Sequence, residues 1–230
     1  MENPLRAFAK RSDHRFIDKW DPYFDIYHRH FQHLRGQKVN ILEIGVYKGG
    51  SIEMWLEYFG KDNCNVFAID IEPACKVMEK SYENVKVFIG DQSNREFLKS
   101  VREQLPPLDI LIDDGGHTMN QQIVSFEELY RCVKMGGVYL CEDLHTSYWP
   151  MYGGSYNNPT SFIEYIKDHI DHLNGFYIQD AKYQKNDNTY ITNSLHFYES
   201  VVVLEKHPSK LSGPPTRIMN GNIKLDGSST

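Results

Sequence analysis

Short apolar runs alternate with amphipathic segments through most of the chain, and this alternation predicts the fold. Each run is rich in Val, Ile and Leu and is far shorter than the roughly 20 residues of a membrane-spanning helix. Five runs are predicted strands, at residues 39–44, 65–69, 85–89, 108–112 and 138–141. Strand, helix and strand in repeated succession predict an α/β fold with a doubly wound parallel sheet and right-handed crossovers.

Amphipathic segments between and after these runs predict the connecting helices. They lie at residues 51–58, 94–105, 121–133 and 161–173, with a further helix starting near Pro73. Gly136 and Gly137 are predicted to end the third of these helices. Two late strands, at 191–198 and 201–206, are separated only by Glu199-Ser200, which predicts an antiparallel hairpin.

The two ends of the chain depart from this pattern. About 15 polar, mildly basic residues come first, and aromatic residues at helical spacing between Phe16 and Leu34 then predict one or two helices. We therefore expect an N-terminal helical extension at 1–35 that covers the site, and a main domain at 36–208. Residues 209–230 are rich in Ser, Gly, Pro and Asn and are predicted to form a mobile tail.

Composition narrows the class of protein. The net charge of −6 argues against a nucleic-acid partner, and no apolar run indicates a membrane partner. The N-terminus lacks the basic-then-apolar pattern of a signal peptide, which predicts a cytoplasmic protein. The four cysteines show no C-x-x-C spacing, so we expect reduced thiols with no disulfide framework or zinc site.

Acidic residues cluster where the fourth and fifth predicted strands end. Asp113 and Asp114 follow one strand, with His117 two glycines later, and Glu142 and Asp143 follow the next. In open α/β sheets this carboxyl edge is where ligands bind. Because clustered carboxylates repel one another, a hard divalent cation is the expected partner, and His117 is a candidate base. The alternative is that these acids cap helices or lie in solvated turns.

Acids at the ends of the earlier strands predict a site for an adenosine-containing cofactor. Asp70 is placed to accept hydrogen bonds from ribose hydroxyls, and Asp91 with Gln92 is placed beside an adenine. The turn after the first strand has the spacing G-x-x-x-G-G-S, which differs from the G-x-G-x-x-G of dinucleotide sites. Its preceding acid, Glu43, suits a cationic cofactor better than a pyrophosphate.

Taken together, these motifs resemble the class I S-adenosylmethionine-dependent methyltransferases. More narrowly, the chain is similar to the metal-dependent sugar O-methyltransferases of the macrolide and rhamnose type. The similarity covers roughly residues 16–206 and is carried by L-E-I-G at 42–45, D-K-W at 18–20, D-D-G-G-H at 113–117, E-D at 142–143, T-S-Y-W at 146–149 and H-F-Y at 196–198. It implies a Rossmann-like, seven-stranded sheet that is mostly parallel with a C-terminal antiparallel hairpin.

The resemblance also implies roles for individual residues. Magnesium is expected at Asp114, Glu142 and Asp143, with His117 as the general base toward a hydroxyl of a deoxyhexose such as rhamnose. S-adenosylmethionine is expected to contact Glu43, Gly45, Gly49, Ser51, Asp70, Asp91, Gln92 and Asp113. An aromatic loop supplies the candidate acceptor contacts His145, Tyr148, Trp149 and Tyr152, because aromatic rings offer flat faces to sugar C–H groups.

Two departures limit what the resemblance implies. Gly116 stands where the family motif is expected to have serine. Members of that family carry an extra N-terminal domain that assembles the oligomer, and these 230 residues show no counterpart of it. The family's quaternary structure is therefore not carried over, and a homo-oligomer stays an open expectation.

Other functions compete with sugar methylation. The same scaffold with a catechol or other phenol as acceptor is the main alternative. An iron-dependent hydroxylase would use Asp114, His117 and His145 as a two-histidine, one-carboxylate triad, but leaves Glu142 and Asp143 without a role. The non-enzymatic alternative is a binding module without turnover, but such a module has no need of a base such as His117.

His196, in a late strand, is expected to be structural.

Overall fold

In the computed structural model, which describes residues 2–219 and 222–225, the apolar runs form a single seven-stranded sheet. Its strands are β1 (Val39–Ile44), β2 (Cys64–Asp70), β3 (Val85–Ile89), β4 (Leu108–Asp113), β5 (Val133–Cys141), β6 (Thr192–Tyr198) and β7 (Val201–Lys206). Their order is β3-β2-β1-β4-β5-β7-β6, with β1 to β5 parallel and β7 antiparallel to both neighbours. The predicted fold class is confirmed.

Helices cover both faces of the sheet. They are α1 (Pro4–Ala9), α2 (Asp21–Phe31), α3 (Gly50–Phe59), α4 (Val77–Ser81), α5 (Arg95–Arg102), α6 (Met119–Leu129), α7 (Phe162–Lys167), α8 (His169–Leu173) and α9 (Asp187–Ile191). Alternate residues of a strand point to opposite faces, so Ile41 joins the core beneath α1 to α4, whereas Leu42 joins the core beneath α5 to α7. No helix among the described residues is long and apolar enough to cross a membrane.

The N-terminal segment packs directly onto the main domain. Helix α1 was not predicted, and it begins with Asn3 as N-cap and Pro4 in its first turn. Arg6 forms ion pairs with Asp21 and Asp25 of α2. Leu5 and residues of α2 share one apolar core with β1 and α3, so these first helices have no separate core of their own.

Several predicted elements were wrong in their bounds, most clearly α6, β5 and the helix at 161–173. Helix α6 starts earlier than predicted because Thr118 and Gln121 form a capping box, and it ends at Leu129 before a 3-10 turn. Gly136 and Gly137 do not end that helix but lie inside β5, where the pairing with β4 is interrupted by a register shift. The predicted helix 161–173 is divided at Asp168 into α7 and α8.

The predicted tail contains regular structure. Residues 208–212 form a 3-10 turn, and β8 (Thr216–Met219) pairs with β9 (Asn222–Leu225) as a two-stranded antiparallel hairpin. The remaining tail positions, 220–221 and 226–230, lie outside the described residues. The four cysteines, Cys64, Cys75, Cys132 and Cys141, are free thiols.

Candidate functional site

A cavity of about 740 Å³ opens at the carboxyl edge of the parallel strands. It lies where β1 is flanked by β2 on one side and β4 on the other, so the chain winds outward in opposite directions from this point. Its wall comes from the turn after β1, the ends of β2 and β3, the D-D-G-G-H loop, the E-D pair, and the segment 16–20. Such a reversal of strand order is where open α/β sheets bind ligands.

Three carboxylates and an imidazole meet on one side of this cavity. Asp113 pairs with Cys141 across β4 and β5, so Asp114 and Glu142, the residues that follow, are neighbours. Nε2 of His117 lies 3.5 Å from a carboxylate oxygen of Asp143 and 3.9 Å from one of Asp114. The structure thus brings together the metal ligands and the base that the sequence predicts.

A cation of the chain itself lies within this cluster. The ammonium of Lys19 donates a short hydrogen bond to Asp114 and another, of 3.0 Å, to Glu142, and its side chain is only 3% exposed. Burial opposes the charge, but attraction by Asp114 and Glu142 outweighs it and raises the pKa of Lys19. The position between these acids therefore suits a positive charge.

Helix α2 fixes the orientation of two of the acids. The hydroxyl of Tyr23 donates to Asp143 at 2.8 Å, and that of Tyr27, one turn later, donates to Glu142 at 2.8 Å. Burial and the charge of Asp114 raise the pKa of Glu142 well above its ordinary value, opposed by Lys19 and Tyr27. Outer partners of this kind hold metal-ligating carboxylates in place. The sequence predicts this helix but gives no sign of the role of its tyrosines.

His117 and Asp143 both have left-handed backbone conformations, each with a φ of 58°. Non-glycine residues rarely adopt this region, and they concentrate at functional sites where the surrounding structure enforces it. Burial lowers the pKa of His117, although Asp114 and Asp143 oppose the shift. Its Nδ1 is buried and has no hydrogen-bond partner within the described part of the chain.

The predicted cofactor residues separate into two groups. Gly45, Ser51, Asp70, Asp91 and Gln92 line the cavity.

Glu43, Gly49 and Asp113 do not line it, so the structure does not support direct cofactor contact by them. Glu43 is fully buried and accepts hydrogen bonds from Ser51 and Trp55. Asp113 is fully buried beneath the loop and accepts from Gln92. Burial raises the pKa of both acids to about 7.

Residues on the cavity wall also brace its loops. Asp70 accepts hydrogen bonds from the backbone N–H groups of Val46, Tyr47 and Glu72, which lower its pKa although burial opposes them. The amide of Gln92 donates to Asp113 and accepts from the N–H of Gly116.

Gly45, with a φ of +96°, must be glycine because a Cβ would lie 2.0 Å from the carbonyl oxygen of Asp114. Close approach of the neighbouring loop is therefore enough by itself to require glycine at this position.

The aromatic acceptor candidates form a row beside the cavity rather than its wall. Trp20, which lines the cavity, packs edge-on against His145 at 6.2 Å between ring centroids. His145 contacts Trp149 at 4.6 Å, and Trp149 contacts Tyr152 at 6.0 Å. Trp20 is 61% exposed and was not singled out as a contact from the sequence. Tyr148 is also exposed but lies outside these ring contacts.

The donor set fits magnesium better than iron. Three carboxylates are hard oxygen ligands, and the ammonium of Lys19 already stands among them as an internal cation. The alternative triad is not assembled, because Asp114 and His117 cluster with Asp143 rather than with His145. Nδ1 of His145 instead binds Ser200 at 2.6 Å.

Comparison with known proteins shows that the chain is similar to methyltransferases. Residues 42–144 match a family described as a methyltransferase domain. Over 214 residues the chain is 31% identical to the 8-demethyl-8-alpha-L-rhamnosyl tetracenomycin-C 2'-O-methyltransferase of Streptomyces olivaceus, covering 87% of this chain and 55% of that protein. It is 32% identical over 223 residues to the mycinamicin VI 2''-O-methyltransferase of Micromonospora griseorubida, covering 88% and 52%. The chain spans about half the length of the curated relatives it matches.

Solved structures agree in fold. The MycE methyltransferase in complex with Mg, SAH and mycinamycin VI superposes with a TM-score of 0.77 at 28% identity, covering 89% of this chain and 53% of that one. The O-methyltransferase TomG from Streptomyces achromogenes, at 14% identity and a TM-score of 0.54, shares the fold.

Proposed function

We propose that this chain, whose residues 42–144 match the methyltransferase domain family, transfers a methyl group from S-adenosylmethionine to a sugar hydroxyl in a Mg²⁺-dependent reaction. One observation carries the proposal. Asp114, Glu142, Asp143 and His117 converge on a cavity that also contains the glycine turn and the strand-end acids Asp70 and Asp91. A site for a cation and base thus adjoins a site shaped for an adenosine-containing cofactor.

The relatives support the class of acceptor. Two of the curated relatives are named as methyltransferases acting on the 2' position of a rhamnosyl tetracenomycin and the 2'' position of mycinamicin VI. MycE was crystallised with Mg and SAH. Because this chain spans about half of each relative, a deoxyhexose acceptor here is a proposal that turnover must test.

The bound groups would supply the two components that the chain lacks. S-adenosylmethionine supplies a methyl group on a positively charged sulfur, and Mg²⁺ lowers the pKa of a hydroxyl that it contacts. Asp114, Glu142 and Asp143 would hold the ion, with Lys19 moved aside. Asp70 and Asp91 would contact the nucleoside.

The residues of the chain position the acceptor and move its proton. Tyr23 and Tyr27 hold Asp143 and Glu142 through hydrogen bonds of 2.8 Å. His117, kept neutral by burial, accepts the hydroxyl proton at Nε2, the ring nitrogen that faces the acids. The row Trp20, His145 and Trp149 presents aromatic faces to the sugar ring.

Turnover with paired acceptors tests the proposal. The chain is incubated with S-adenosylmethionine, Mg²⁺ and either a rhamnosyl glycoside or catechol, and methylated product is measured by mass spectrometry. Methylation of the glycoside, lost in excess EDTA and restored by Mg²⁺, is the expected result. Turnover of catechol alone would assign the phenol class, which the exposed aromatic row also suits.

Lys19 is expected to stabilise the metal-free protein. Replacing it with methionine leaves Asp114 and Glu142 without their buried cation, and breaking such a pair typically costs about 3–5 kcal/mol, less where a carboxyl takes up a proton. Thermal unfolding measures the loss, and Mg²⁺ should raise the melting temperature of Lys19→Met more than that of the wild type. Lys167→Met, which removes an exposed ion pair with Glu164, is the control. Equal losses in the two variants would contradict the assignment.

Asp70 is expected to contribute to cofactor affinity. Asp70→Asn keeps one oxygen as acceptor for the backbone turn but removes the charge, and a charge-assisted hydrogen bond is worth about 1.5–3 kcal/mol. Calorimetry with S-adenosylmethionine should therefore show binding weakened by roughly tenfold or more. Asp62→Asn, in an exposed turn, should leave affinity unchanged. Wild-type affinity in Asp70→Asn would place the ribose elsewhere.

A further inference from the structure

A second cluster of ligand-type side chains lies where α2 meets the antiparallel hairpin. His30 comes from α2, His196 from β6 and Glu205 from β7. Nδ1 of His30 lies 2.7 Å from one Glu205 oxygen, and Nε2 of His196 lies 3.6 Å from the other. One ligand atom from each residue falls within 4.8 Å of the others. None of the three lines the large cavity.

The surroundings of this cluster supply the outer hydrogen-bond partners that a metal site needs. The hydroxyl of Tyr198 lies 2.9 Å from Nε2 of His30, which leaves Nδ1 to face Glu205. Metal-binding histidines are usually oriented in this way through their second ring nitrogen. The hydroxyl of Ser194 lies 2.9 Å from Glu205 and 3.0 Å from Nε2 of His196, so a further oxygen is already present.

We propose that His30, His196 and Glu205 bind a Zn²⁺ ion through Nδ1 of His30, Nε2 of His196 and the Glu205 carboxylate. Two imidazoles with one carboxylate suit zinc and similar transition metals, whereas Mg²⁺ prefers oxygen ligands throughout. Zinc–ligand distances of about 2.1 Å place tetrahedral ligand atoms roughly 3.4 Å apart. The 3.6 Å between His196 and Glu205 is close to this value, and the 2.7 Å between His30 and Glu205 would lengthen on metal binding. Ser194 or a water completes the tetrahedron.

Charge and backbone register favour this ion. The carboxylate of Glu205 lies between the two imidazoles and would offset part of the charge of the ion. Ser194 pairs with Glu205 across β6 and β7, and His196 is two residues along the same strand, so all three share one face of the hairpin. The absence of cysteine motifs had predicted no zinc site, and His196 was expected to be structural. This site uses imidazoles that come together only in the fold.

The zinc ion would connect the hairpin to the helix that orients the magnesium ligands. His30 lies three residues after Tyr27, which holds Glu142, so both are on α2. A metal at His30 would fix the C-terminal turn of that helix against β6 and β7. We therefore expect zinc to stabilise the fold and to restrain α2, without entering the acidic cluster.

Metal titration of the full chain tests the proposal. Protein freed of metal with a chelator is saturated with Mg²⁺ to fill the acidic site and is then titrated with Zn²⁺ by calorimetry and with Co²⁺ by visible absorption. One equivalent of zinc that Mg²⁺ does not displace is expected, with a tetrahedral cobalt spectrum. Zinc should also raise the melting temperature.

Single-residue variants test which side chains bind the zinc ion. His196→Ala, on an exposed edge strand, and Glu205→Gln should each weaken zinc binding more than tenfold and abolish the zinc-dependent rise in melting temperature. His33→Ala, an exposed histidine just beyond α2, is the matched control and should bind as the wild type does. Asp143→Asn should also retain this zinc equivalent, because it alters only the acidic site. Zinc that Mg²⁺ displaces, no zinc binding, or binding unaffected by His196→Ala would overturn the proposal and leave an imidazole–carboxylate hydrogen-bond network.

Discussion

Replacing Asp143 with asparagine is expected to reduce methyl transfer at millimolar Mg²⁺ by more than about 100-fold. Loss of an outer partner of a metal ligand typically costs 10–100-fold, and this change removes the charge of a proposed ligand itself. Asparagine is the informative replacement because it tolerates the left-handed φ of 58° at this position. Its side-chain oxygen can still accept the hydrogen bond from Tyr23.

Mg²⁺ dependence distinguishes loss of the ion from loss of the fold. Turnover is measured against Mg²⁺ concentration, and the concentration for half-maximal rate should rise in Asp143→Asn. Asp109→Asn is the matched control, because Asp109 is a buried acid of the neighbouring strand β4 that pairs with Lys134 at the other end of the strand. It should change the melting temperature but not the Mg²⁺ response. Full activity of the wild type in excess EDTA would refute a metal role altogether.

The sheet was predictable because its strands are apolar runs bounded by polar residues. The bounds of β1, β3 and β7 agree with the sequence patterns at both ends. Strand β5 was predicted too short because its first half contains an exposed, glycine-containing register shift that resembles a helix end. Helix α1 has six residues, of which two are buried, so it is too short to show a clear helical pattern of apolar positions.

From the sequence alone, the site could be predicted only where its residues follow predicted strands. Asp113 and Asp114 are adjacent, and successive residues point to different sides, so composition alone could not say which faces the cavity. The structure places Asp114 on the cavity wall and Asp113 in the core. Lys19 belongs to the D-K-W motif at 18–20, but its role could not be predicted from the sequence. It lies in an irregular segment, and its partners are 95 and 123 residues away along the chain.

Replacing His117 with asparagine is expected to lower kcat for a sugar acceptor by about 10²–10⁴-fold, the usual contribution of a general base. The imidazole lies beside Asp143 and Asp114, whereas Nδ1 of His145, 4.0 Å from Asp143, is engaged by Ser200 at 2.6 Å. Asparagine suits the left-handed backbone here but cannot take up a proton at neutral pH. Calorimetry should show S-adenosylmethionine and Mg²⁺ still bound, and His33→Asn should retain the wild-type rate.

The pH profile and the acceptor together test the role of this base. Burial lowers the pKa of His117, so the ring stays neutral at pH 7 and the wild-type rate should fall only on acidification below the ordinary histidine value of about 6.5. That acidic limb should vanish in His117→Asn. A catechol hydroxyl, far more acidic than a sugar hydroxyl, needs the base much less, so its turnover should lose less in the variant. Sugar methylation that persists at the wild-type rate in His117→Asn would exclude His117 as the base.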